Sequence, residues 1–454
     1  MKTRLLFINA IDTAQSIETS NPPLGLAYLA ASLRKQLGAE AVEIRIVDSG
    51  VERELLDFRP DIVGISAVTQ NYGRAIACAS LVKKHGLPVL CGGVHISMLP
   101  ASFSPQMDVG VIGEGELTIC ALVSLFREKN GFPAEELKKI NGIIYWEQGR
   151  LAATERRAPA EPLDSLPLPA RDLLAMTKSA AMFTSRGCLY RCAFCASSRF
   201  WGRIRLFSAG YVVNEIAELR EKYGAESINF LDDLFSADVG RVREIKDLLK
   251  KRGLLGKLKF TCSIRANKVD DEMAGLFREL GVESVGMGLE SGCEESLDYL
   301  KGGVTLAENY KAVETIRKSG MRVYGSFVIG SPEESGEGIL KTLEFIKKSR
   351  VDAFGVYVLT PFPGTPVWAY AEAKGLVGAE MDWETLSVNF KDNHARVVIL
   401  SEKLTRDELY GLWLRFERLK FRKYLAYLLG RGVRAPWKIP GFLLEKLLPL
   451  RRRK

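Results

Sequence analysis

Three of the eight cysteines fall in the run RGCLYRCAFC, as Cys188, Cys192 and Cys195. The spacing C-x3-C-x2-C puts three thiols on one loop, and clustered thiolates hold soft metals. A structural zinc site normally takes four protein ligands. His85, His95 and His394 are the only histidines, and none is near the run. Cys78, Cys91, Cys120, Cys262 and Cys293 are scattered, mostly in apolar contexts. Iron–sulfur clusters are also held by thiolates, usually four. Three thiolates on a cubane would leave one iron open to a substrate or cofactor. Gly187 lets the loop begin tightly at a strand end. Three incidental cysteines or an incomplete zinc loop are the plain alternatives, and the spacing after an apolar run weighs against both.

Other polar residues recur where apolar runs end. FLDDLF carries Asp232 and Asp233, carboxylates suited to accept from an ammonium group. A solvated loop pair is the alternative there. TCSIRAN carries Arg265, which suits a carboxylate ligand or a structural ion pair. GMGLESG ends in Glu290, Ser291 and a glycine. SFVIGSPEE holds Gly330, and TPFPGTPV ends a last run on a rigid Pro-Gly turn.

The elements that must position these residues form two series. In residues 1–145, RLLFINA, AVEIRIVD, DIVGISAV, LPVLCGG and DVGVIGEG read as buried strands. Helical stretches such as LGLAYLAASLRKQLG lie between them. Strand–helix alternation of this kind predicts a doubly wound parallel sheet, with ligands at the strands' carboxyl ends. Residues 146–178 are expected to be a hairpin and a Pro-rich extended linker. Residues 179–385 repeat the alternation six times, which predicts an open (β/α)6 TIM-type barrel with its site at the strands' carboxyl ends. Residues 386–454 read as a helical, basic carboxyl-terminal region.

The run RGCLYRCAFC, with Phe194 just before the last cysteine, resembles the signature of the radical S-adenosylmethionine (radical SAM) family. In that family three cysteines bind a 4Fe–4S cluster. The amino and carboxylate groups of S-adenosylmethionine (SAM) take the fourth iron. One-electron reduction then splits SAM into methionine and a 5′-deoxyadenosyl radical. The resemblance implies that Cys188, Cys192 and Cys195 hold the cluster and that Phe194 belongs to the SAM site. It gives SAM's amino group to Asp232 and Asp233, its carboxylate to Arg265 and its ribose to Glu290 and Ser291. Gly330 would make room on the adenine side, although the leading glycine of that motif is Ser326 here. TPFPGTPV ends the sixth strand as in relatives that carry a cobalamin domain.

The amino-terminal half carries the same resemblance. Ser66, followed by Gly92 and Gly93, is similar to the small-residue set that admits the nucleotide tail of cobalamin. Gly113 and Glu114 in GEGE have the look of the same family, whose domain of this kind is Rossmann-like. One departure stands out. The familiar Asp-x-His-x-x-Gly loop is VDSGVERE here, with Asp48 and no histidine, so the resemblance implies cobalamin without a lower histidine ligand. His95 reads as a loop or phosphate-side residue.

A cobalamin-binding radical SAM enzyme of this type is expected to methylate an unactivated carbon of a small-molecule or lipid-like substrate. One SAM would methylate the reduced cobalamin and a second would supply the radical. A radical cyclase or oxidoreductase without methyl transfer is the alternative, and a non-catalytic cobalamin or cluster sensor is the alternative of another class. An electron donor such as flavodoxin or ferredoxin and a low-oxygen setting are implied.

The totals agree with a folded enzyme. The 454 residues suggest two or three domains, and 47% hydrophobic with 26% charged residues reads as globular. No apolar run of about 18 residues predicts a membrane span. The opening MKTRLLFINAID has too short an apolar run for a signal peptide, and unevenly spaced cysteines fit a reducing cytoplasm. From Arg415 onward there are 13 Lys or Arg and 2 Glu, against a formal charge of +9 for the whole chain. The body is therefore close to neutral, which argues against a nucleic-acid groove. The basic, aromatic tail is expected to pack on the barrel or to touch an anionic membrane surface, which would favour an isoprenoid-like substrate.

Overall fold

The central apolar runs of the amino-terminal half are buried on both faces, as parallel strands between helices must be, whereas the edge run VEIRIV alternates with Glu43 and Arg45 exposed. The computed structural model describes residues 2–15, 18–388 and 390–430. Its first sheet has β1 (Thr3–Asn9), β2 (Val42–Val47), β3 (Ile62–Ser66), β4 (Val89–Gly92) and β5 (Val109–Val111), parallel in the order β2-β1-β3-β4-β5. Leu5 and Phe7 face the helices Leu24–Leu37 and Glu116–Lys129, whereas Leu6 and Ile8 face the helix Tyr72–Lys84. The strand order reverses between β1 and β3, the switch point where ligands of such sheets bind.

The hairpin corrects the expected boundary. β6 (Ile143–Glu147) pairs antiparallel with β5, and β7 (Arg150–Ala153) pairs with β6, so the hairpin completes a seven-stranded sheet. A boundary at residue 145 would cut β6. An isolated two-stranded hairpin is marginal in water, and Ile143, Ile144 and Tyr145 gain burial by joining the sheet. The Pro-rich stretch is not a free spacer either. Its Ala160, Leu163 and Leu166 lie in the core of the second half, and Ala170 lies in that of the first. Arg171, 1% exposed, donates to the Ala181 carbonyl at 2.8 Å and pairs with the equally buried Glu215 at 2.5 Å.

The second sheet contains β8 (Ser179–Met182) at one edge. A short antiparallel ribbon follows, β9 (Ser185–Arg186) with β10 (Arg205–Leu206), and the cysteine loop joins its two strands. β11 (Ser227–Phe230), β12 (Lys259–Ile264), β13 (Val282–Glu290), β14 (Arg322–Ile329) and β15 (Ala353–Val358) complete six parallel strands in sequential order. Along β12, Phe260, Cys262 and Ile264 enter the core while Thr261 and Ser263 point away from it.

Two later segments close the structure. Leu359, Val367 and Trp368, around the Pro-Gly turn after β15, share a core with the first sheet, and a side chain at Gly364 would run into Met98. The helix Arg406–Gly430 packs on β15, where Trp413 Nε1 donates to the Val356 carbonyl at 3.1 Å. The tail from 431 to 454, on which the membrane expectation mainly rests, lies outside the described residues. Among the described residues no helix is long and apolar enough to cross a membrane.

Candidate functional site

Gly187 begins the cysteine loop at φ +87°, and a Cβ there would stand 2.6 Å from the Arg203 carbonyl oxygen. Glycine is required at such a position. Arg199 Nη1 ties the loop from inside, donating to the carbonyls of Cys192 at 3.1 Å and Cys195 at 2.6 Å. Ala193 N donates to Leu300 O at 2.9 Å and anchors the loop to the barrel. The three cysteines are free and partly exposed. Burial pushes the Cys195 thiol up to about 11 and raises that of Cys188, with Asp233 and the neighbouring thiols adding to both. Among the described residues no three His, Cys, Asp or Glu side chains gather round a point as one metal ion would require. A cubane gives each thiolate its own iron and does not ask for that convergence.

The two aspartates of FLDDLF part company. Asp232 is 2% exposed and accepts from Thr184 N at 2.6 Å, from Thr184 Oγ1 and from Ser185 N at 3.2 Å, with Arg241 4.0 Å away. Its oxygens hold the turn between β8 and β9, so the expected contact with an ammonium group is corrected to a structural one. Asp233 is accessible at the cysteine recess and accepts from Ser197 Oγ. Partial desolvation raises its carboxyl above the usual range.

Arg265 is 5% exposed and lies over the Tyr190 ring, 3.9 Å from its centroid. Nη1 reaches Cys192 Sγ at 3.5 Å, and Nη2 donates to Gly302 O at 2.6 Å. Its Nε is buried with no partner. Glu290 has the left-handed φ of +57°, rare for a residue with a side chain. Glu290 Oε1 accepts from Lys301 Nζ at 3.1 Å, and Nζ also donates to Gly288 O. Lys301 was not among the expected residues. It stands four residues after Leu297 on the buried stripe of the helix Glu294–Lys301, which is the signal that could have found it.

Three expected residues face elsewhere. Ser291 is fully buried and its hydroxyl bonds to Thr342 Oγ1 at 3.0 Å, so ribose contact is corrected to a turn-stabilising role. Gly330, at φ +84°, packs beneath Leu409 of the carboxyl-terminal helix and donates to Glu334 at 2.7 Å. Phe194 packs against the core shared with the first sheet.

Across the interface, Ser66, Gly92, Gly93, Gly113 and Glu114 line one cavity of ≈ 240 Å³ at the carboxyl ends of the first sheet. Its opposite wall includes Phe183, Arg186, Phe200 and Trp201 from around the cysteine loop. A Cβ at Gly92 would meet only Val111, at 3.9 Å, and one at Gly113 nothing within 4 Å. Both leave room for a ligand against the backbone. Gly93 is at φ +110°, and a Cβ there would stand 2.5 Å from the Ala67 carbonyl oxygen, so this glycine serves the fold. No histidine lines the cavity. His95 is not in a loop but in the helix Val94–Met98, buried between Tyr72 and Trp383 at centroid distances of 3.9 and 4.4 Å. Burial lowers its pKa to about 3.

Residues 182–346 match the model of the radical SAM superfamily, and residues 12–123 match that of the B12 binding domain. An uncharacterized methyltransferase of Pyrococcus horikoshii is 34% identical over 88% of this chain and 89% of its own. The chain belongs to the cobalamin-binding radical SAM family. Its members use a 4Fe–4S cluster, SAM and cobalamin, and this chain is an enzyme of that family. The anaerobic magnesium-protoporphyrin IX monomethyl ester cyclase of Cereibacter sphaeroides is 25% identical over 98% of this chain and 74% of its own. The radical SAM methyltransferase TsrM of Kitasatospora setae, solved with cobalamin and a [4Fe-4S] cluster, shares the fold. Its TM-score is 0.68 at 19% identity, covering 82% of this chain and 75% of that one. The donor sets described above fit these groups: three thiols with the Arg265 guanidinium beside one of them, and a cavity kept open by absent side chains.

Proposed function

We propose that this radical SAM enzyme methylates an unactivated carbon of a small-molecule or lipid-like substrate. One observation carries the reading: the cavity at the ends of β3 to β5 opens directly onto the ribbon that holds the three-cysteine loop. When bound, the cluster and SAM supply a hydrogen-abstracting radical, and cobalamin supplies the methyl group. Cys188, Cys192 and Cys195 hold the cluster. Asp233 accepts from the SAM ammonium, the Arg265 guanidinium meets its carboxylate, and Glu290, fixed by Lys301, faces the ribose. Ser66, Gly92 and Gly113 let the corrinoid lie against the sheet, and Phe200 and Trp201 cover it from the barrel side, which excludes water. A flavodoxin- or ferredoxin-like donor supplies the electron.

The 34% identical methyltransferase favours methyl transfer over ring closure, the reaction named for the cyclase relative. Anaerobic reconstitution, iron and cobalt counts and product analysis with strong reductant test the reading. Methyl transfer yields S-adenosylhomocysteine together with 5′-deoxyadenosine. 5′-Deoxyadenosine alone, with cobalamin bound and a substrate turned over, would select the cyclase-like reading. Zinc in place of iron would end both.

A further inference from the structure

Four charged side chains cross the interface beside the cavity. Glu114 and Glu116 follow β5, whereas Arg186 and Arg205 belong to the β9–β10 ribbon. Arg186 Nη2 donates to Glu116 Oε1 at 2.5 Å, and Nη1 stands 3.4 Å from Glu114 Oε2. Arg205 Nη2 pairs with Glu114 Oε1, and Nη1 donates to Ala160 O at 2.9 Å. Ala160 N donates back to Glu114 Oε2 at 3.0 Å. The Arg186 guanidinium lies between the rings of Tyr28 and Trp201, 5.3 and 5.2 Å from their centroids. All four charged side chains are at most 11% exposed.

A buried set of this kind is a poor way to gain stability, because desolvation offsets the attraction. It is a good way to specify geometry, because a guanidinium fork accepts few arrangements of its carboxylate partners. Its placement gives that geometry a use. Arg186 is two residues from Cys188, and Gly187 between them is held at φ +87° against Arg203. Glu114 directly follows Gly113 of the cavity wall. The side chains thus join the cysteine loop to the cavity wall with little slack in either backbone.

We infer that Arg186 and Glu116, completed by Glu114 and Arg205, are positioning residues that lock the cysteine loop to the cobalamin cradle and couple the two sites energetically. Glu114, which also lines the cavity, then has both carboxylate oxygens engaged across the interface. The inference rests on the proposed cofactor sites.

The test uses the full chain, anaerobically loaded with the cluster. SAM affinity is read by equilibrium dialysis of labelled SAM with the cluster left oxidised, with and without hydroxocobalamin. Coupled sites change each other's affinity by the same factor, commonly about 5- to 150-fold. We expect such a factor in the wild type and a factor near one in Glu116→Gln and Arg186→Lys at matched iron content and matched bound cobalt, because both side chains also line the cavity. Glu116→Asp, which keeps the charge, should restore part of it. If Glu116→Gln does not keep its cluster, Arg205→Lys is read by the same ratio. A wild-type ratio of one, or an unchanged ratio in the variants, overturns the inference. A wild type that binds neither cluster nor cobalamin overturns the functional reading instead.

Discussion

Gly92 and Gly93 are adjacent and chemically identical, yet they should respond in opposite ways to the same added methyl group. At Gly92 the new Cβ meets only Val111, at an ordinary 3.9 Å, and φ is unremarkable. Gly92→Ala should therefore shift the stability of the ligand-free protein by no more than about 0.5 kcal/mol. Its methyl projects into the cavity where the corrinoid is to lie. Overfilling a close-packed contact costs about 1–3 kcal/mol, which at about 1.4 kcal/mol per decade weakens cobalamin binding roughly 5- to 150-fold. At Gly93 the new Cβ sits 2.5 Å from the Ala67 carbonyl oxygen, with φ at +110°. Backbone strain of that kind costs about 1–3 kcal/mol before the clash is counted. Gly93→Ala should lower the unfolding midpoint with no ligand present. Urea denaturation of both apo-proteins and a spectrophotometric titration with hydroxocobalamin separate the effects. Wild-type affinity in Gly92→Ala would refute the placement of cobalamin against β4, and wild-type stability in Gly93→Ala would refute the packing argument.

Replacing Cys188, Cys192 or Cys195 by Ala should each drop reconstituted iron from about four per chain to near zero, while Cys262→Ala leaves the iron count unchanged. Asp232→Asn keeps the oxygen that accepts from Thr184 N and Ser185 N but puts an amide donor where Oδ2 accepts from Thr184 Oγ1, and should cost about 1–3 kcal/mol of stability, whereas Asp233→Asn should spare the unfolding midpoint and weaken SAM binding in the cluster-loaded protein. His95 has a folded pKa near 3, below its unfolded value. The unfolded chain therefore binds the proton first, and stability falls as pH drops below about 6.5, by about 2 kcal/mol at pH 5. His95→Gln should flatten that part of the stability–pH curve, and a curve identical to wild type would show that His95 is not held neutral. Arg171→Met leaves Glu215 buried without its partner and should cost about 3–5 kcal/mol, seen as a lower denaturant midpoint.

Much of this protein was legible in its residues because the signals were local. The alternation of apolar runs and helical stretches sets two parallel sheets, since strands joined through crossover helices run parallel. The three cysteines declare themselves because a cluster loop is contiguous in the chain. Gly187 could be read for the same reason, as a turn beside that loop.

What the residues alone could not decide was the direction of side chains whose partners are distant in sequence. Asp232 and Asp233 look alike in FLDDLF, and only the fold turns one toward Thr184 and leaves the other beside the cysteines. Ser291 and Gly330 have motif-like neighbours in the chain, but Thr342 and Leu409 claim them from elements that come later. Glu114 in GEGE reads as a cobalamin-side residue until Arg186 and Arg205 arrive from a ribbon more than 60 residues downstream. Chain pattern determines which elements form, because burial and backbone hydrogen bonding act over a few residues. The pairing of buried charges and the closing of a cavity between two halves depend on contacts that exist only once those elements have packed.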